Sequence, residues 1–368
     1  MEHEFTPVIM EILKKDFGKQ AEDIYKLSLL IQYLNIKTRS ASRGSKARSS
    51  FGVLFAVYVL VEDYVSKDFH KRGEYSKYEG ARFTDLIQRI RQLPFGARVQ
   101  NHYLNDRVNG EFHRYFPTCE FTPIMRDVPT RRYWINENLV TMRIGETVYN
   151  IAPTVIRIVD AYIAAKKDAF EQFLQDCQGM LQMEKGDAKK VQDFIVGRLK
   201  PNVDARVFEI VSYAILKEFY GAQTLFWGWS LDASKQEGLV LYKTGRTNAN
   251  DGGIDFVMRP LGRFFQVTET IDSRKYFLDI DKIQRFPLTF VVKSDESVET
   301  IRGRVEDQAR RVYSIDKIVK KYMDCIEEII NIPRLLECFA DVQNRKALVP
   351  VINEIVLQSK VEFNYETE

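Results

Sequence analysis

Two short segments, 254–258 and 263–269, alternate apolar and polar side chains with the period of two that β-strands show. In the first segment, one face would carry Ile254, Phe256 and Met258, and the other Asp255 and Val257. In the second segment, one face would carry Phe264, Gln266 and Thr268, and the other Phe265, Val267 and Glu269. Pro260-Leu261-Gly262 separates the segments, so the pattern predicts a β-hairpin with its turn at these residues.

A helical pattern precedes this hairpin. In residues 204–221 apolar side chains recur three and four positions apart, and Gly221 is a suitable C-terminal stop. Short apolar runs at 239–243 and 288–293 predict two further strands, with a crossover helix before the second run. The resulting order, α-β-β-β-α-β, predicts a mixed α/β module over residues 201–295.

The remainder of the chain has a mostly helical pattern. Apolar side chains at helical spacing predict helices at 6–34, 50–69, 153–178 and 187–198. Residues 76–150 mix helical and extended patterns, with a hairpin turn at either Gly145-Glu146 or Asn136-Glu137.

Residues 296–368 are also predicted to be helical. One apolar stripe in this segment consists of Ile315, Ile318, Val319, Tyr322, Ile326 and Ile329. The stripe is either a helical cover for the sheet or a dimer interface, and the sequence leaves both interpretations open.

Composition sets the outer limits. The chain has 368 residues, 45% hydrophobic and 29% charged, which is typical of a soluble globular protein with two domains or three subdomains. The apolar run at 51–65 is interrupted by Glu62 and Asp63 and is shorter than the roughly 20 residues of a membrane span, so we interpret it as a buried helix. The N-terminal residues lack the order of a secretory signal, which favours a cytoplasmic protein without a membrane partner.

Cysteine and histidine are too scattered to form a recognisable motif. The four cysteines contain no CxxC pair, which argues against a zinc ribbon and a redox centre and favours reduced thiols. The sequence also lacks a Walker phosphate loop, an HExxH metalloprotease motif and a G-x-S-x-G elbow.

Asp255 is the residue that most directly indicates chemistry. A carboxylate in the middle of an apolar strand is costly to bury unless its charge is compensated, and a divalent cation is the simplest compensation. The alternative is a buried acid whose charge is satisfied by the amides of the glycine turn at 251–253. The strand position therefore predicts a metal site around Asp255.

The arrangement resembles the core of the PD-(D/E)XK nucleases, in which an acid on one strand and an acid-any-lysine motif on the next meet at a Mg²⁺ ion. Asp255 matches the first metal ligand and Gln266 the second acidic position, with the carbonyl of Val267 as a third ligand. Thr268 stands where the family has its lysine. Glu209, on the preceding helix, matches a glutamate that often faces the metal; otherwise it is a solvated helix residue.

Thr268 departs from the family pattern, because the lysine normally orients or activates the attacking water. Lys275 or Arg263 would then supply the missing cation. Glu269 would become a ligand if its strand were bulged. The resemblance implies a central sheet flanked by helices.

The resemblance also implies a function. It predicts a Mg²⁺-dependent, sequence-specific endonuclease that hydrolyses double-stranded DNA, similar to type II restriction enzymes, acting as a homodimer with a companion DNA methyltransferase. Two alternatives stay open: a repair or RNA-processing nuclease with the same core, and a DNA-binding protein whose nuclease core is inactive.

Basic and polar residues upstream are candidates for DNA contact. Residues 37–48 contain five cations and no acid, which predicts a flexible loop that contacts phosphates through Lys37, Arg39, Arg43, Lys46 and Arg48. Residues 72–134 interleave basic and aromatic side chains, and those of the types that contact base edges are Arg98, Gln100, Asn101, Asn105, Arg107 and Asn109. The net charge of +3 is too small to indicate a nucleic-acid partner by itself.

These patterns predict three regions. Residues 1–200 would be a mainly helical DNA-recognition region, 201–295 the nuclease core, and 296–368 a helical segment that covers the core or forms a dimer interface.

Overall fold

A computed structural model describes residues 2–39, 47–97, 99–104, 106–181, 188–200, 203, 205–244 and 254–363. The fold is mixed α/β and mostly helical, as the sequence predicted. The chain divides into two compact units, Met1–Gln172 and Phe173–Glu368. The division therefore lies within a helix before residue 200, and residues 296–368 belong to the same unit as the module at 201–295.

The first unit is built mainly from helices. They are α1 (Thr6–Phe17), α2 (Ala21–Leu27), α3 (Leu29–Thr38), α4 (Ala47–Ser66), α5 (Phe69–Arg72), α6 (Phe83–Gln92), α7 (Arg107–Tyr115), α8 (Glu137–Val140) and α9 (Ala152–Leu181), which continues into the second unit. Short strands form a three-stranded sheet of β1 (Ala81–Arg82), β2 (Ile124–Asp127) and β3 (Arg132–Ile135) and a hairpin of β4 (Thr141–Ile144) and β5 (Thr147–Asn150). Three short 3-10 helices lie at Gly18–Gln20, Tyr75–Lys77 and Asn101–Tyr103.

Helix α4 forms the centre of the first unit's hydrophobic core. Its residues from Val53 to Val61 are all buried, and they pack with apolar side chains of the surrounding helices. The interpretation of the apolar run at 51–65 as a buried helix is therefore confirmed. Within the described residues, no helix combines the length and apolar character needed to cross a membrane.

The structure decides between the two hairpin turns. β4 and β5 pair with Ile144 opposite Thr147, so Gly145-Glu146 forms the turn. Gly145 has a φ of 60°, a left-handed conformation that glycine adopts without steric cost. Asn136 instead caps α8, because its side chain accepts a hydrogen bond from the N–H of Asn138.

The second unit surrounds a five-stranded sheet. Its further helices are α10 (Ala188–Leu199), α11 (Ala205–Gly221), α12 (Ser273–Lys282), α13 (Val298–Val312), α14 (Asp316–Asp324), α15 (Ile332–Asn344) and α16 (Leu348–Phe363). Its strands are β6 (Thr224–Trp227), β7 (Lys235–Gly238), β8 (Val240–Lys243), β9 (Phe256–Arg259), β10 (Arg263–Thr268), β11 (Leu288–Val292) and β12 (Ile326–Ile330). β6 and β7 form a separate hairpin that the sequence analysis did not identify.

The sheet has the strand order β12-β11-β10-β9-β8. β8, β9 and β10 are antiparallel neighbours, whereas β10, β11 and β12 are parallel. The predicted hairpin at Pro260-Leu261-Gly262 is present between β9 and β10, and α12 is the crossover that a parallel β10–β11 pair requires.

Helices cover both faces of this sheet. On one face, Phe256 and Phe265 contact Tyr213 and Tyr220 of α11, respectively, and α15 and α16 pack against the same helix. On the other face, Tyr276 of α12 stacks on Phe290 of β11 with ring centroids 4.2 Å apart. This arrangement leaves the ends of β9 and β10 between the two helical layers.

The predicted helical stripe at 315–329 is wrong in its second half. The helix α14 ends at Asp324, and the next residues form β12, in which Ile326 and Ile329 are buried against the sheet. The spacing of these isoleucines also fits a helix, but the β-branched run completes the parallel edge of the sheet. Ile315 remains exposed, so the six residues do not form one continuous surface.

Alanine substitutions of two isoleucines test whether the two ends of this stripe differ in burial. Ile329→Ala removes a side chain that is 3% exposed and should lower the free energy of unfolding by about 2–5 kcal/mol. Ile315→Ala alters a side chain that is 55% exposed and should change it by less than about 0.5 kcal/mol. Urea unfolding followed by circular dichroism measures both effects; equal losses would contradict the burial of Ile329 against the sheet.

Candidate functional site

Asp255 lies immediately before β9, where the strand pairing is irregular. The N–H of Asp255 donates to the carbonyl of Phe265 at 2.8 Å, although Phe256 is already the pairing partner of Phe265. Two consecutive residues thus oppose one residue of β10, which is the pattern of a β-bulge. Bulges redirect a side chain out of the regular alternation and are common beside active sites.

The carboxylate of Asp255 is buried and bonded to the next strand. Its Oδ2 atom accepts a hydrogen bond from the N–H of Val267 at 2.7 Å. On the other side, the N–H of Thr244 donates to the backbone carbonyl of Asp255 at 3.0 Å. The glycine turn at 251–253, the alternative partner proposed from the sequence, lies outside the described residues.

Gln266 has an unusual hydrogen-bonding state. Its side chain is buried, and Nε2 donates to the carbonyl of Val267 at 3.1 Å. Its Oε1 atom is shielded from solvent and has no hydrogen-bond partner among the described residues. A buried amide oxygen without a partner is rare in proteins, and oxygen atoms of this kind are preferred Mg²⁺ ligands.

The three predicted metal ligands are linked through the backbone of Val267. The Asp255 carboxylate and the Gln266 side chain both contact the backbone of Val267. In the described part of the chain, no three His, Cys, Asp or Glu side chains converge as a metal site. The predicted set contains a single acid, an amide and a carbonyl, and its unpartnered oxygen fits a hard cation.

Thr268 and Lys275 are neighbours in the structure. Thr268 ends β10 and is buried, and Nζ of Lys275, on α12, donates to its hydroxyl at 3.0 Å. An ammonium group therefore lies beside the side chain at the family's lysine position, although it comes from a different element.

Arg263 is held at the opposite end of β10. Its guanidinium group pairs with Glu328 and Glu327 of β12 and donates to the hydroxyl of Thr289. Five residues separate Arg263 from Thr268, which is roughly 16 Å along an extended strand. Arg263 thus joins β10 to β11 and β12 and is held away from Thr268.

Glu209 is buried, contrary to the interpretation of a solvated helix residue. Its Oε1 atom lies 2.8 Å from Nζ of Lys243, and both side chains are almost fully shielded from solvent. Lys243 ends β8 and is the pairing partner of Phe256, one residue from Asp255. Lys243 was not among the residues predicted from the sequence. The only sequence feature that marks it is its position at the end of a short apolar strand.

Glu269 takes part in a second ion pair, in which the lysine is buried and the glutamate is exposed. Its carboxylate lies 2.6 Å from Nζ of Lys293, a side chain that is 2% exposed and also donates to the carbonyl of Val203. The pairing of β10 with β11 is regular through Thr268, so this strand does not bulge where a ligand role for Glu269 would require it. The ion pair accounts for the burial of Lys293, which the sequence analysis also missed.

Two of the candidate DNA contacts are used inside the first unit. Lys37 lies in α3, where Nζ is 2.5 Å from the carboxylate of Glu111 and the side chain is buried. The amide of Asn109 holds β2, since it accepts from the N–H of Ile124 and donates to the carbonyl of the same residue. Both residues are better explained as structural.

The other candidate contacts are exposed or undescribed. Arg39, Gln100, Asn101 and Arg107 are exposed. Arg43, Lys46, Arg98 and Asn105 lie outside the described residues, as does the side chain of Arg48 in α4. Because α3 extends to Thr38 and α4 begins at Ala47, both ends of the predicted flexible loop are helical.

Burial removes several other groups from consideration as nucleophiles. It raises the pKa of Tyr213 and Tyr220, both on α11, to about 12, so both phenols are protonated at neutral pH. Burial likewise raises the pKa of the Cys177 thiol to about 12 and that of Cys338 to about 11. These side chains pack in the interior of the second unit.

Comparison of the chain with protein-family models, with curated proteins and with solved structures finds no match.

The buried pair of Lys243 and Glu209 has a measurable signature. Lys243→Met leaves a buried carboxylate without its ammonium and should cost about 3–5 kcal/mol of stability. The double variant Lys243→Met with Glu209→Met removes both charges and should recover most of that loss. Urea unfolding measures the series.

Lys26→Met is a suitable control, because Lys26 and Glu22 form a solvent-exposed pair 3.9 Å apart. We expect no measurable loss from it. An additive double variant would mean that Lys243 and Glu209 do not interact in solution.

Proposed function

We propose that the second unit is a Mg²⁺-dependent endonuclease that hydrolyses phosphodiester bonds of double-stranded DNA. The observation that carries the proposal is the unpartnered, buried Oε1 of Gln266, whose side chain contacts the backbone of Val267, the residue that also bonds the Asp255 carboxylate. A single cation would account for both the buried acid and the orphaned amide oxygen. The order of elements from α11 to β11 agrees with the PD-(D/E)XK resemblance, apart from the inserted hairpin of β6 and β7.

Asp255, Gln266 and the carbonyl of Val267 would hold the ion. Bound there, Mg²⁺ would lower the pKa of an attacking water and stabilise the charge that develops on the phosphate in the transition state. In this proposal Asp255 keeps its carboxylate fixed through the N–H of Val267. Rotation of the Gln266 amide away from the Val267 carbonyl would free both oxygens for the metal.

We assign to Lys275 the role of the lysine that the resemblance places at the position of Thr268. Its ammonium is 3.0 Å from the Thr268 hydroxyl, so it approaches the family's lysine position from α12. A cation at this point would orient a water molecule or a phosphate oxygen by charge-assisted hydrogen bonding. Glu209, held by Lys243, enters the proposal as a carboxylate that adjusts the field around Asp255.

The proposal extends to the substrate and the partners of the enzyme. By resemblance to type II restriction enzymes, we infer a sequence-specific enzyme that acts as a homodimer, with a DNA methyltransferase as its companion. The exposed polar residues Gln100 and Asn101 of the first unit have the side-chain types that contact DNA bases.

Plasmid cleavage with Mg²⁺ and with EDTA tests the activity. We expect discrete fragments with Mg²⁺ only, no detectable cleavage by Asp255→Ala, and a loss of about 10–100-fold for Gln266→Ala, because an amide ligand is weaker than a carboxylate. Asp232→Ala and Gln236→Ala, at exposed positions of the β6–β7 hairpin, are matched controls that should cleave normally.

The products distinguish the alternatives. Diffuse degradation would favour a repair or RNA-processing nuclease, and a gel shift without products would favour an inactive core that binds DNA. Normal cleavage by Asp255→Ala would remove the metal-ligand assignment altogether.

The position of Lys275 leads to a suppressor experiment. Lys275→Ala should slow cleavage by about 10²–10⁴-fold with little loss of DNA binding, whereas Lys282→Ala on the same helix should not. Thr268→Lys alone places two ammonium groups together and should also be slow, because like charges repel. Combining Thr268→Lys with Lys275→Ala should restore much of the rate, measured as single-turnover cleavage; a combination no faster than Lys275→Ala would contradict the shared role.

A further inference from the structure

A groove of about 250 Å³ lies along α7 in the first unit. It is lined by His102, Asp106, Arg107, Gly110, Glu111 and Arg114. The opposite side of the helix is anchored in the core by Val108 and Phe112, both fully buried. The groove is therefore a surface feature on a firmly held helix.

Charge in the groove is unbalanced. Each of its two acids has a cation of its own, since Asp106 lies 3.2 Å from Arg126 and Glu111 lies 2.5 Å from the buried Lys37. Arg107 is 3.9 Å from Glu111, too far for a hydrogen bond. Arg114 has no ion-pair partner in the part of the chain that the structure describes. The arginines thus give the groove excess positive charge.

Glu111 adds a hydrogen-bond acceptor. Its Oε1 atom pairs with Lys37, but Oε2 is shielded from solvent and has no hydrogen-bond partner among the described residues. An occupant that brought a donor to Oε2 would satisfy it.

Gly110 lines the groove and lies inside α7. Glycine in the interior of a helix is unfavourable relative to alanine, yet a Cβ atom at this position would meet nothing within 4 Å. No contact within the described protein therefore requires glycine here. Because Gly110 lines the groove, a larger side chain at this position would enter it.

We propose that this groove binds nucleotide phosphates, with Arg107 and Arg114 opposite the phosphate charge and Oε2 of Glu111 accepting from a base or sugar donor. The volume is below the roughly 300–1,000 Å³ of pockets that enclose whole small ligands, which favours one part of a larger nucleic acid. Seven residues separate the arginines, a rise of roughly 10 Å along the helix, so each would contact a different phosphate. The inference rests on the proposed action on DNA and extends it to the first unit.

Fluorescence anisotropy of a labelled DNA duplex in EDTA, across a range of salt concentrations, tests the groove without cleavage. Arg107→Ala with Arg114→Ala should weaken binding and reduce the slope of log K against log salt by roughly 1.8, which is 0.9 for each lost phosphate contact. Arg91→Ala, at an exposed arginine of α6 in the same unit, is the matched control and should keep the wild-type binding and slope. Circular dichroism checks that every variant is folded.

Gly110 provides a readout that a structural role would not produce. Gly110→Ala and Gly110→Leu should raise the melting temperature by about 1–4 °C through helix propensity, and they should weaken DNA binding progressively as the groove is filled. If Gly110→Leu binds both the duplex and a nucleoside monophosphate like the wild type, the proposal is overturned.

Titration calorimetry with a nucleoside monophosphate identifies the source of the phosphate. If duplex binding is unaffected by the arginine variants but monophosphate binding is lost, the groove binds phosphate from a free nucleotide. If both are unaffected, the proposal is overturned. If the groove variants weaken DNA binding but no cleavage is detected, the groove inference holds and the nuclease proposal fails. If the protein cleaves DNA but the arginine variants leave the salt slope unchanged, the nuclease proposal holds and the duplex contact in the groove fails.

Discussion

The hydrogen bond from the N–H of Val267 to the carboxylate of Asp255 links the two strands on which the candidate site depends. It holds a buried charge at a bulge, where regular strand pairing cannot satisfy the backbone. Because the same Val267 residue also contacts the Gln266 amide, one short piece of backbone positions both side chains. The cost of burying Asp255 is thereby offset in part by the strand itself and, in our proposal, by a cation.

Two ion pairs occur in the same unit, and each has a buried lysine. Glu209 is matched with Lys243, and Glu269 with Lys293, each pair joining the end of a strand to a residue of a neighbouring element. Buried ion pairs contribute little net stability, because removing both charges from water costs about as much as their attraction returns.

The first unit holds its cations in two different environments. Lys37 is paired inside the protein, whereas Arg107 and Arg114 face the groove along α7. Basic residues of the same unit therefore have different roles, and composition alone cannot assign them. Their solvent exposure distinguishes them, because a buried ammonium group requires a partner and an exposed guanidinium group does not.

Elements whose pattern is local could be predicted from the sequence: the hairpin at Pro260-Leu261-Gly262, the buried helix α4, and the alternation that puts Gln266 and Thr268 on one face of β10. Side-chain periodicity reports burial directly, so these followed without tertiary information. Only the tertiary structure decided that Ile326 and Ile329 belong to a strand, because their spacing fits both conformations and a neighbouring strand selects one. It also brought Lys275 to Thr268, and Lys243 to Glu209, since contacts between distant elements depend on how the chain packs and leave no periodic trace in the sequence.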